Sequence, residues 1–374
     1  MPFHDMQSSI WLRRDVLASL AAGCFAGRLL PAAQAAAKNT VSWLAEVQQR
    51  PQRLPAGSPQ LSRLLVDDQG REIRELASWK RKRSLLRQWW QDFLQPLPVD
   101  RQHPPRLDVL EEDRPKDLVR QLVRYEAEPG VVVEAYLLRP AAAGRRYPGV
   151  VVLHSTTDDT IRQPAGLAGE PEKAFGLKLA QRGFVTVCPR NFVWPGRGKI
   201  ATGEALQGLR SRHPRSKGMA KMLFDAQVAL DILASRPEVD PKRLGAAGHS
   251  LGGKEVLYLA ALDDRVRVAI SSEGGIGMKF SNWDAPWYLG PTITSGDFRH
   301  EHHELLALAA PRAFLLLGGD SADGDRSWPF IEAVLPVYKL YGGSPTVGLF
   351  NHKRGHSVSR EAERRIFEWF EAYL

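Results

Sequence analysis

The chain has 374 residues, enough for one large domain with additions or for two domains of modest size. Hydrophobic residues make up 43% and charged residues 25%, which is typical of a soluble globular protein. The net charge of +9 arises from basic residues scattered among acidic ones, without a nucleic-acid recognition motif. We therefore expect no nucleic-acid partner. The oligomeric state stays open.

Short basic clusters, such as residues 79–83, indicate a solvated surface, with affinity for an acidic polymer as the alternative. No apolar run after the first 40 residues is long enough to cross a bilayer, so we expect no stable membrane insertion.

The N-terminus has the features of an export signal. Two arginines at 13–14 precede a short, weakly apolar stretch, and Ala-Gln-Ala at 33–35 suits signal peptidase. Paired arginines are typical of twin-arginine signals, which export folded proteins. We predict that residues 1–37 direct export to the periplasm or the cell exterior and are removed. The alternative is an ordinary N-terminal helix.

The sequence contains two cysteines. Cys24 lies in the predicted signal after a poor lipoprotein box, so its lipidation stays open. Cys188 lies in an apolar strand, where a small buried hydrophobe is the usual role. The mature chain would hold one thiol, which excludes an internal disulfide and a zinc site built from cysteines.

Residues 38–110 are predicted to form a linker and an N-terminal helical extension. Residues 40–60 lack clear periodicity, which favours the linker. Apolar side chains recur at roughly helical spacing over 61–95, and the proline-rich residues 96–105 would end that helix. We expect the extension to pack on the main domain.

Strands and helices alternate over residues 111–374, which predicts an α/β fold. The strands are short and apolar, as in a mostly parallel sheet buried on both faces. A Glu-Pro-Gly turn joins the first two, so these should pair antiparallel. The eight predicted strands are 118–127, 131–140, 149–154, 184–189, 243–249, 266–271, 313–319 and 346–351. The predicted helices are 171–182, 217–236, 251–262, 302–309, 327–341 and 359–373.

Gly-His-Ser-Leu-Gly at 248–252 matches the G-x-S-x-G pattern of a nucleophile elbow, between a predicted strand and a predicted helix. The turn is so tight that neighbouring residues must lack side chains, hence the glycines. It presents a hydroxyl at the carboxyl edge of the sheet, where open α/β sheets place ligands. We predict Ser250 as the nucleophile, with a purely structural turn as the alternative.

A serine hydroxyl is a weak nucleophile and needs a base. The histidine should follow the last strand and precede the last helix, and His356 lies there. We therefore predict His356 as the general base. His352 competes, but strand pairing would hold it. A metal site at His300, His302 and His303 is conceivable, yet no second ligand cluster accompanies them, so roles at a helix start are favoured.

The acid that orients the imidazole has several candidates. The loop after the seventh predicted strand carries Asp320, Asp323 and Asp325, and counting from the start of that strand favours Asp323. The loop after the sixth strand places Glu273 near the same edge. Asp323 and Glu273 are the preferred candidates, and Asp320 and Asp325 also stay open.

The oxyanion needs two N–H donors. The N–H of Leu251 and the start of its helix point to the required place. The second donor should come from the loop after the third strand, where we predict Thr156, with Ser155 as the alternative.

From about residue 117 onward, the chain resembles the dienelactone-hydrolase and acetyl-xylan-esterase branch of the α/β-hydrolases. In its motifs it is similar to bacterial carbohydrate esterases, including the glucuronoyl esterases. The resemblance implies the α/β-hydrolase fold, with a mostly parallel eight-stranded sheet flanked by helices and a catalytic domain over 111–374.

These esterases carry G-x-S-R-N-G-K around their serine, and residues 248–254 read Gly-His-Ser-Leu-Gly-Gly-Lys. The resemblance implies that Lys254 contacts sugar hydroxyls, and that residues 273–275 match the family's Glu-Ser-Gly in position. The arginine that helps to hold the oxyanion in glucuronoyl esterases is Leu251 here. Acetyl and other acyl esters therefore stay possible substrates beside a glucuronoyl ester.

Several aromatic residues follow strand ends on the side of the predicted site: Trp194, Trp283, Trp287, Tyr288 and Trp328. Aromatic faces suit stacking on sugar rings, so we predict that Trp283 and Trp287 bind substrate. The alternative is a loop packed by its own aromatic side chains.

The sequence thus predicts an exported serine esterase that acts on a carbohydrate ester, such as an acetylated or glucuronoylated plant polysaccharide, through an acyl-enzyme. This chemistry needs no metal or organic cofactor. A prolyl-oligopeptidase-type serine peptidase is one alternative, although such enzymes usually carry a propeller that the short extension cannot form. The other is a non-catalytic carbohydrate-binding protein on a hydrolase scaffold.

Overall fold

The computed structural model describes residues 40–101, 103–194 and 200–374, without the side chains of residues 200 and 201. The predicted export signal, residues 1–37, lies outside them. The strands form one sheet of order β1-β2-β3-β5-β4-β6-β7-β8-β9. The strands are β1 (Asp108–Asp113), β2 (Leu118–Glu128), β3 (Val131–Pro140), β4 (Tyr147–Leu153), β5 (Val185–Pro189), β6 (Val239–His249), β7 (Val266–Ser272), β8 (Ala313–Gly318) and β9 (Val347–Asn351).

The sheet is antiparallel from β1 to β5 and parallel from β5 through β4 to β9. The predicted mostly parallel sheet with flanking helices is thereby confirmed, as is the antiparallel pairing of the first two predicted strands, β2 and β3. The α-helices are α1 (Leu76–Leu94), α2 (Phe175–Ala180), α3 (Ile200–Arg212), α4 (Gly218–Ser235), α5 (Leu251–Leu262), α6 (His303–Ala309), α7 (Trp328–Leu340) and α8 (Arg360–Tyr373).

The sheet is buried on both faces, because β4, β5 and β8 are buried at every position. Along β4, Val151 and Leu153 point into one apolar cluster, and Val150 and Val152 into another. Buried residues of α1, α4, α5, α6 and α7 belong to the first cluster, and those of α2 and α8 to the second. Helices therefore cover both faces of the sheet and leave its carboxyl edge to the loops.

Strand β1 makes the sheet nine-stranded rather than eight-stranded, and it crosses the expected boundary between residues 110 and 111. All six of its residues are exposed, so it lacks the apolar pattern from which strands are predicted. Its four carboxylates protect an edge strand from pairing with other chains. They belong to Asp108, Glu111, Glu112 and Asp113.

The predicted helix over 61–95 is correct only in its second part, where α1 begins at Leu76. Before it, the chain makes a turn in which Asp67 Oδ1 accepts the N–H groups of Gln69 (3.0 Å) and Arg71 (2.9 Å). Asp side chains favour such turns over helix. Helix α3 was not predicted, because its sequence alternates small and polar residues without an apolar stripe.

Residues 41–48, predicted as part of a linker, instead pack against β9 and α8. Gln48 donates from Nε2 to the carbonyl oxygens of Pro345 (2.6 Å) and Val347 (2.9 Å). Carbonyls on the outer edge of the sheet thus gain a partner. The buried side chains of the segment are Val41, Trp43, Leu44 and Val47.

The basic cluster at 79–83 is partly structural. Arg83 donates to the carbonyl of Leu308 in α6 (2.8 Å), and Arg87, one turn further on, donates to the last two carbonyls of α5 (3.1 Å each). Both guanidinium groups also pair with Asp264. Cations at helix C-termini satisfy unpaired carbonyls and complement the helix dipole.

Among the residues that the structure describes, no helix is long and apolar enough to span a membrane.

Helix α1 provides a test of how firmly the extension is packed. Trp90 is fully buried and donates from Nε1 to Glu304 Oε2 (2.9 Å), whereas Leu85 on the same helix is 63% exposed. We expect Trp90→Ala to lower the free energy of unfolding by about 3–5 kcal/mol, because it leaves a cavity. Leu85→Ala should change it by less than about 0.5 kcal/mol. Chemical denaturation measures both, and equal small effects would contradict the packing described.

Candidate active site

The predicted nucleophile elbow lies between β6, which ends at His249, and α5, which begins at Leu251. Ser250 has φ 58° and ψ −114°, a strained conformation for a residue with a side chain. A Cβ on Gly252 would lie 2.1 Å from the carbonyl oxygen of Leu153, so this position requires glycine. The Ser250 N–H donates to Ser272 O (2.8 Å), and its hydroxyl makes no hydrogen bond to any described residue. The geometry is that of the predicted elbow.

His356 lies in the loop between β9 and α8, at the same edge of the sheet. Its Nδ1 is 3.1 Å from Glu273 Oε2, and its side chain is 43% exposed. A proton on Nδ1 leaves Nε2 free to accept one. His352 is held at the strand end as expected, since its N–H donates to Gly318 O (2.8 Å).

Glu273 follows β7, and its carboxylate is fully buried. Besides His356, it accepts the N–H groups of Gly319 and Ala322 in the loop after β8, the latter at 2.6 Å. Its φ of 51° turns the side chain toward that loop. The structure therefore pairs Glu273 with the predicted base.

Asp323, which strand counting favoured as the acid, has hydrogen-bond partners other than His356. It accepts the N–H groups of Gly275 (2.6 Å) and Ile276 (2.8 Å) and the hydroxyl of Ser327 (2.8 Å). Burial raises the pKa of this carboxyl, and these hydrogen bonds oppose the rise. Asp323 thus holds the backbone of the loop that carries Glu273, and the geometry favours Glu273 over Asp323 as the partner of His356. The other two candidates, Asp320 and Asp325, both accept from Asn351 Nδ2.

The two predicted oxyanion donors follow neighbouring strands, Leu251 after β6 and Thr156 after β4. Leu251 opens α5, so its N–H has no acceptor within the helix. Thr156 is exposed, three residues after β4. The alternative donor, the N–H of Ser155, is already given to Gln163 Oε1 (3.3 Å), which leaves Thr156 as the candidate.

A buried network that sequence reasoning missed supports this loop. His154 Nε2 accepts the N–H of Asn191 (3.0 Å), and its Nδ1 therefore donates to Ser155 O (2.7 Å). Burial lowers the pKa of His154 to about 4, which keeps this tautomer neutral. Asn191 in turn donates to Glu255 Oε1 (2.9 Å), whose pKa burial raises to about 8. The only signal in the sequence was a histidine at the end of the apolar strand predicted over 149–154.

Lys254 lies one turn after Ser250, as predicted, but its ammonium is not open to a substrate. The residue is 5% exposed, and Nζ lies 3.9 Å from the ring centroid of Trp283 without a hydrogen-bond partner in the described chain. Burial lowers its pKa to about 7, with Asp323 opposing the shift. The expected direct contact with sugar hydroxyls is therefore not supported by this placement.

Only some of the aromatic residues near the site are exposed enough to stack on a sugar ring. Trp283 is fully buried and donates from Nε1 to Gly275 O (2.7 Å), so it packs the loop after β7 and cannot stack on a sugar. Tyr288 and Trp328 are also buried. Trp287 and Trp194 are half-buried and keep an open face as candidates.

The histidines near α6 each have a separate partner. His300 bonds to Glu304, His302 to Tyr258 and the carbonyl of Ile276, and His303 to Ser62. Within the described ranges, no group of three or more His, Cys, Asp or Glu side chains is arranged to hold a metal ion.

Residues 133–283, from β3 to the loop after β7, match the model of the dienelactone hydrolase family. The Bacillus subtilis protein YtaP is 26% identical over 281 residues, 71% of this chain and 91% of YtaP. A 4-O-methyl-glucuronoyl methylesterase of Neurospora crassa is 28% identical over 159 residues, 34% of this chain and 39% of that protein. The structure of the glucuronoyl esterase from Solibacter usitatus has a TM-score of 0.68 at 18% identity and covers 86% of this chain and 98% of that one, a likeness of fold. Residues 133–283 are therefore similar to the dienelactone hydrolase family, and the chain has an α/β-hydrolase fold.

Proposed function

We propose that the chain is a serine carboxylic-ester hydrolase that acts on carbohydrate esters through an acyl-enzyme. The observation that carries this proposal is Ser250 on its strained elbow, with the His356–Glu273 pair on neighbouring loops of the same sheet edge. Glu273 accepts the Nδ1 proton of His356, so Nε2 is available as a base.

In the proposed reaction, Ser250 Oγ attacks the ester carbonyl carbon while His356 Nε2 takes the hydroxyl proton. The N–H groups of Leu251 and Thr156 stabilise the oxyanion. The intermediate collapses as His356 protonates the leaving alcohol, which produces the acyl-enzyme. Water then loses a proton to His356 and attacks the acyl carbon, and Ser250 is regenerated with release of the acid. No step calls for a metal or an organic cofactor.

A carbohydrate ester is proposed because two of the proteins compared are named for glucuronoyl ester hydrolysis. Leu251 in place of the family's arginine keeps the acyl group open between acetyl, glucuronoyl and other esters. We further propose residues 1–37 as a twin-arginine-like export signal, 38–110 as an N-terminal extension and 111–374 as the catalytic domain of an exported enzyme.

The nucleophile is tested by Ser250→Ala, which should lower kcat by at least about 10³-fold and abolish labelling by a fluorophosphonate. Ser295→Ala, at an exposed serine, serves as the control and should keep both. Activity of the wild type is measured on p-nitrophenyl acetate, acetylated xylan and a glucuronate benzyl ester. If the wild type is not labelled and cleaves no ester, the remaining hypothesis is a non-catalytic carbohydrate-binding protein. Cleavage of peptides alone would favour the serine peptidase.

The acid is tested by comparing Glu273→Gln with Asp323→Asn. Glu273→Gln should lower kcat by about 10²-fold or more, because the imidazole loses its orienting carboxylate. Asp323→Asn should mainly lower the melting temperature, since it removes acceptors from the N–H groups of Gly275 and Ile276. Steady-state kinetics and thermal unfolding separate the two effects. The opposite ranking of kcat losses would return the role of acid to Asp323.

Lys254 is tested by Lys254→Met. Its pKa is about 7 in the folded chain against an ordinary 10.5, so the unfolded chain binds the additional proton between these values. The free energy of unfolding from this group therefore rises with pH across that window and is lowest below pH 7. The variant should gain melting temperature over wild type at pH 6 and gain less at pH 10. The exposed Lys242→Met is the control and should show no such trend.

The same variant separates a supporting role from substrate binding. If Lys254 supports the loop through Trp283, Lys254→Met changes kcat on p-nitrophenyl acetate and on acetylated xylan by the same factor. A rise in KM confined to the carbohydrate ester would show that the ammonium leaves Trp283 and reaches the sugar.

A further inference from the structure

His249, the residue before Ser250, connects the elbow to the backbone of His356 through a hydrogen bond. It is the last residue of β6 and is 2% exposed. Its Nδ1 lies 3.0 Å from Ser272 Oγ in the neighbouring strand β7, and its Nε2 lies 3.2 Å from the carbonyl oxygen of His356. The centroids of the two imidazole rings are 4.8 Å apart.

The partners of His249 determine its tautomer. A carbonyl oxygen can only accept, so Nε2 carries the proton and donates to His356 O. Nδ1 then holds a lone pair and accepts from the hydroxyl of Ser272. Both ring nitrogens are therefore satisfied in the neutral form, and burial together with the neighbouring His356 keeps the pKa of His249 well below its ordinary value.

The loop with His356 is held mainly from β8 and from the loops after β7 and β8, since the N–H of His352 donates to Gly318 O (2.8 Å) and Lys353 pairs with Asp325 (3.2 Å). The N–H of Gly355 donates to Gly319 O (2.7 Å), and Glu273 holds the His356 ring; both partners belong to the loops after β7 and β8. Within the described part of the chain, the bond from His249 to His356 O is the hydrogen bond that ties residues 352–359 to the nucleophile's own strand or helix.

We propose that His249 is a positioning residue that fixes the separation of Ser250 and His356 by holding the backbone of the base from the strand that carries the nucleophile. This inference rests on the proposed function. His249 is buried and bonds to the backbone of His356, so its proposed effect on the reaction is exerted through that residue. A neutral ring at this place also adds no positive charge beside His356 when that base is protonated during the reaction.

Loss of the hydrogen bond from His249 should lower kcat and leave KM almost unchanged. Loss of the bond lets the base loop move relative to the Ser250 hydroxyl, while the outer face of the site is unchanged. A misplacement of about 1 Å can cost about 10²-fold in rate. Glutamine at 249 can still offer an N–H to His356 O, whereas phenylalanine keeps the ring volume and offers none.

The experiment compares His249→Phe and His249→Gln with wild type in the full chain. The measurements are kcat and KM on p-nitrophenyl acetate, the rate of fluorophosphonate labelling and thermal unfolding. His249→Phe should lower kcat and the labelling rate by about 10- to 100-fold with KM within about twofold. His249→Gln should recover most of the loss. Should the phenylalanine variant not fold, His249→Asn replaces it, because its amide is too short to reach His356 O.

Unchanged kcat and labelling in the variant without the donor would overturn the inference and leave the proposed function standing. A glutamine variant as impaired as the phenylalanine variant would also overturn it, since packing alone would then explain the loss. A wild type that fluorophosphonate does not label contradicts the proposed function itself, whatever the variants do.

Discussion

Two buried carboxylates hold the candidate site together by accepting backbone N–H groups across neighbouring loops. Glu273, after β7, accepts two N–H groups of the loop after β8, and Asp323 in that loop accepts two from the loop after β7. A buried carboxylate is costly unless donors surround it, and these amides supply them. Neither loop can shift without breaking bonds to the other's carboxylate, so the oxygen that faces His356 is fixed by the pair of loops together.

This exchange explains why strand counting could not decide between the two carboxylates. Both acids follow strand ends at one edge, and chain position carries no information about which one turns toward His356. A positive φ at Glu273 and three hydrogen bonds at Asp323 decide that, and both depend on contacts distant in sequence. The contact between Lys254 and Trp283 could not be predicted from the sequence for the same reason. Their placement on α5 and on the next loop was predictable, but their mutual burial was not.

The elements that sequence could predict are those whose own residues require them. The six strands β4 to β9 stand out because buried parallel strands are largely apolar, and the elbow stands out because its glycines have no room for a side chain. Strand β1 and helix α3 carry no such pattern, because neither depends on an apolar stripe of its own. Residues 41–48 were read as linker for a similar reason, since their order comes from the edge of β9 that they cover.

The buried polar groups around the elbow also explain how an open site can be precisely ordered. Burial moves the pKa of His154 to about 4, of Lys254 to about 7 and of Glu255 to about 8, so each is driven toward its neutral form. Neutral side chains can hold loops in place through hydrogen bonds and ring contacts, because they add no buried charge that would need a counter-charge. Above them, His356 is 43% exposed and Thr156 faces solvent. For the proposed reaction, an ester borne on a polymer can therefore approach Ser250 from solvent while the layer beneath keeps base and nucleophile in place.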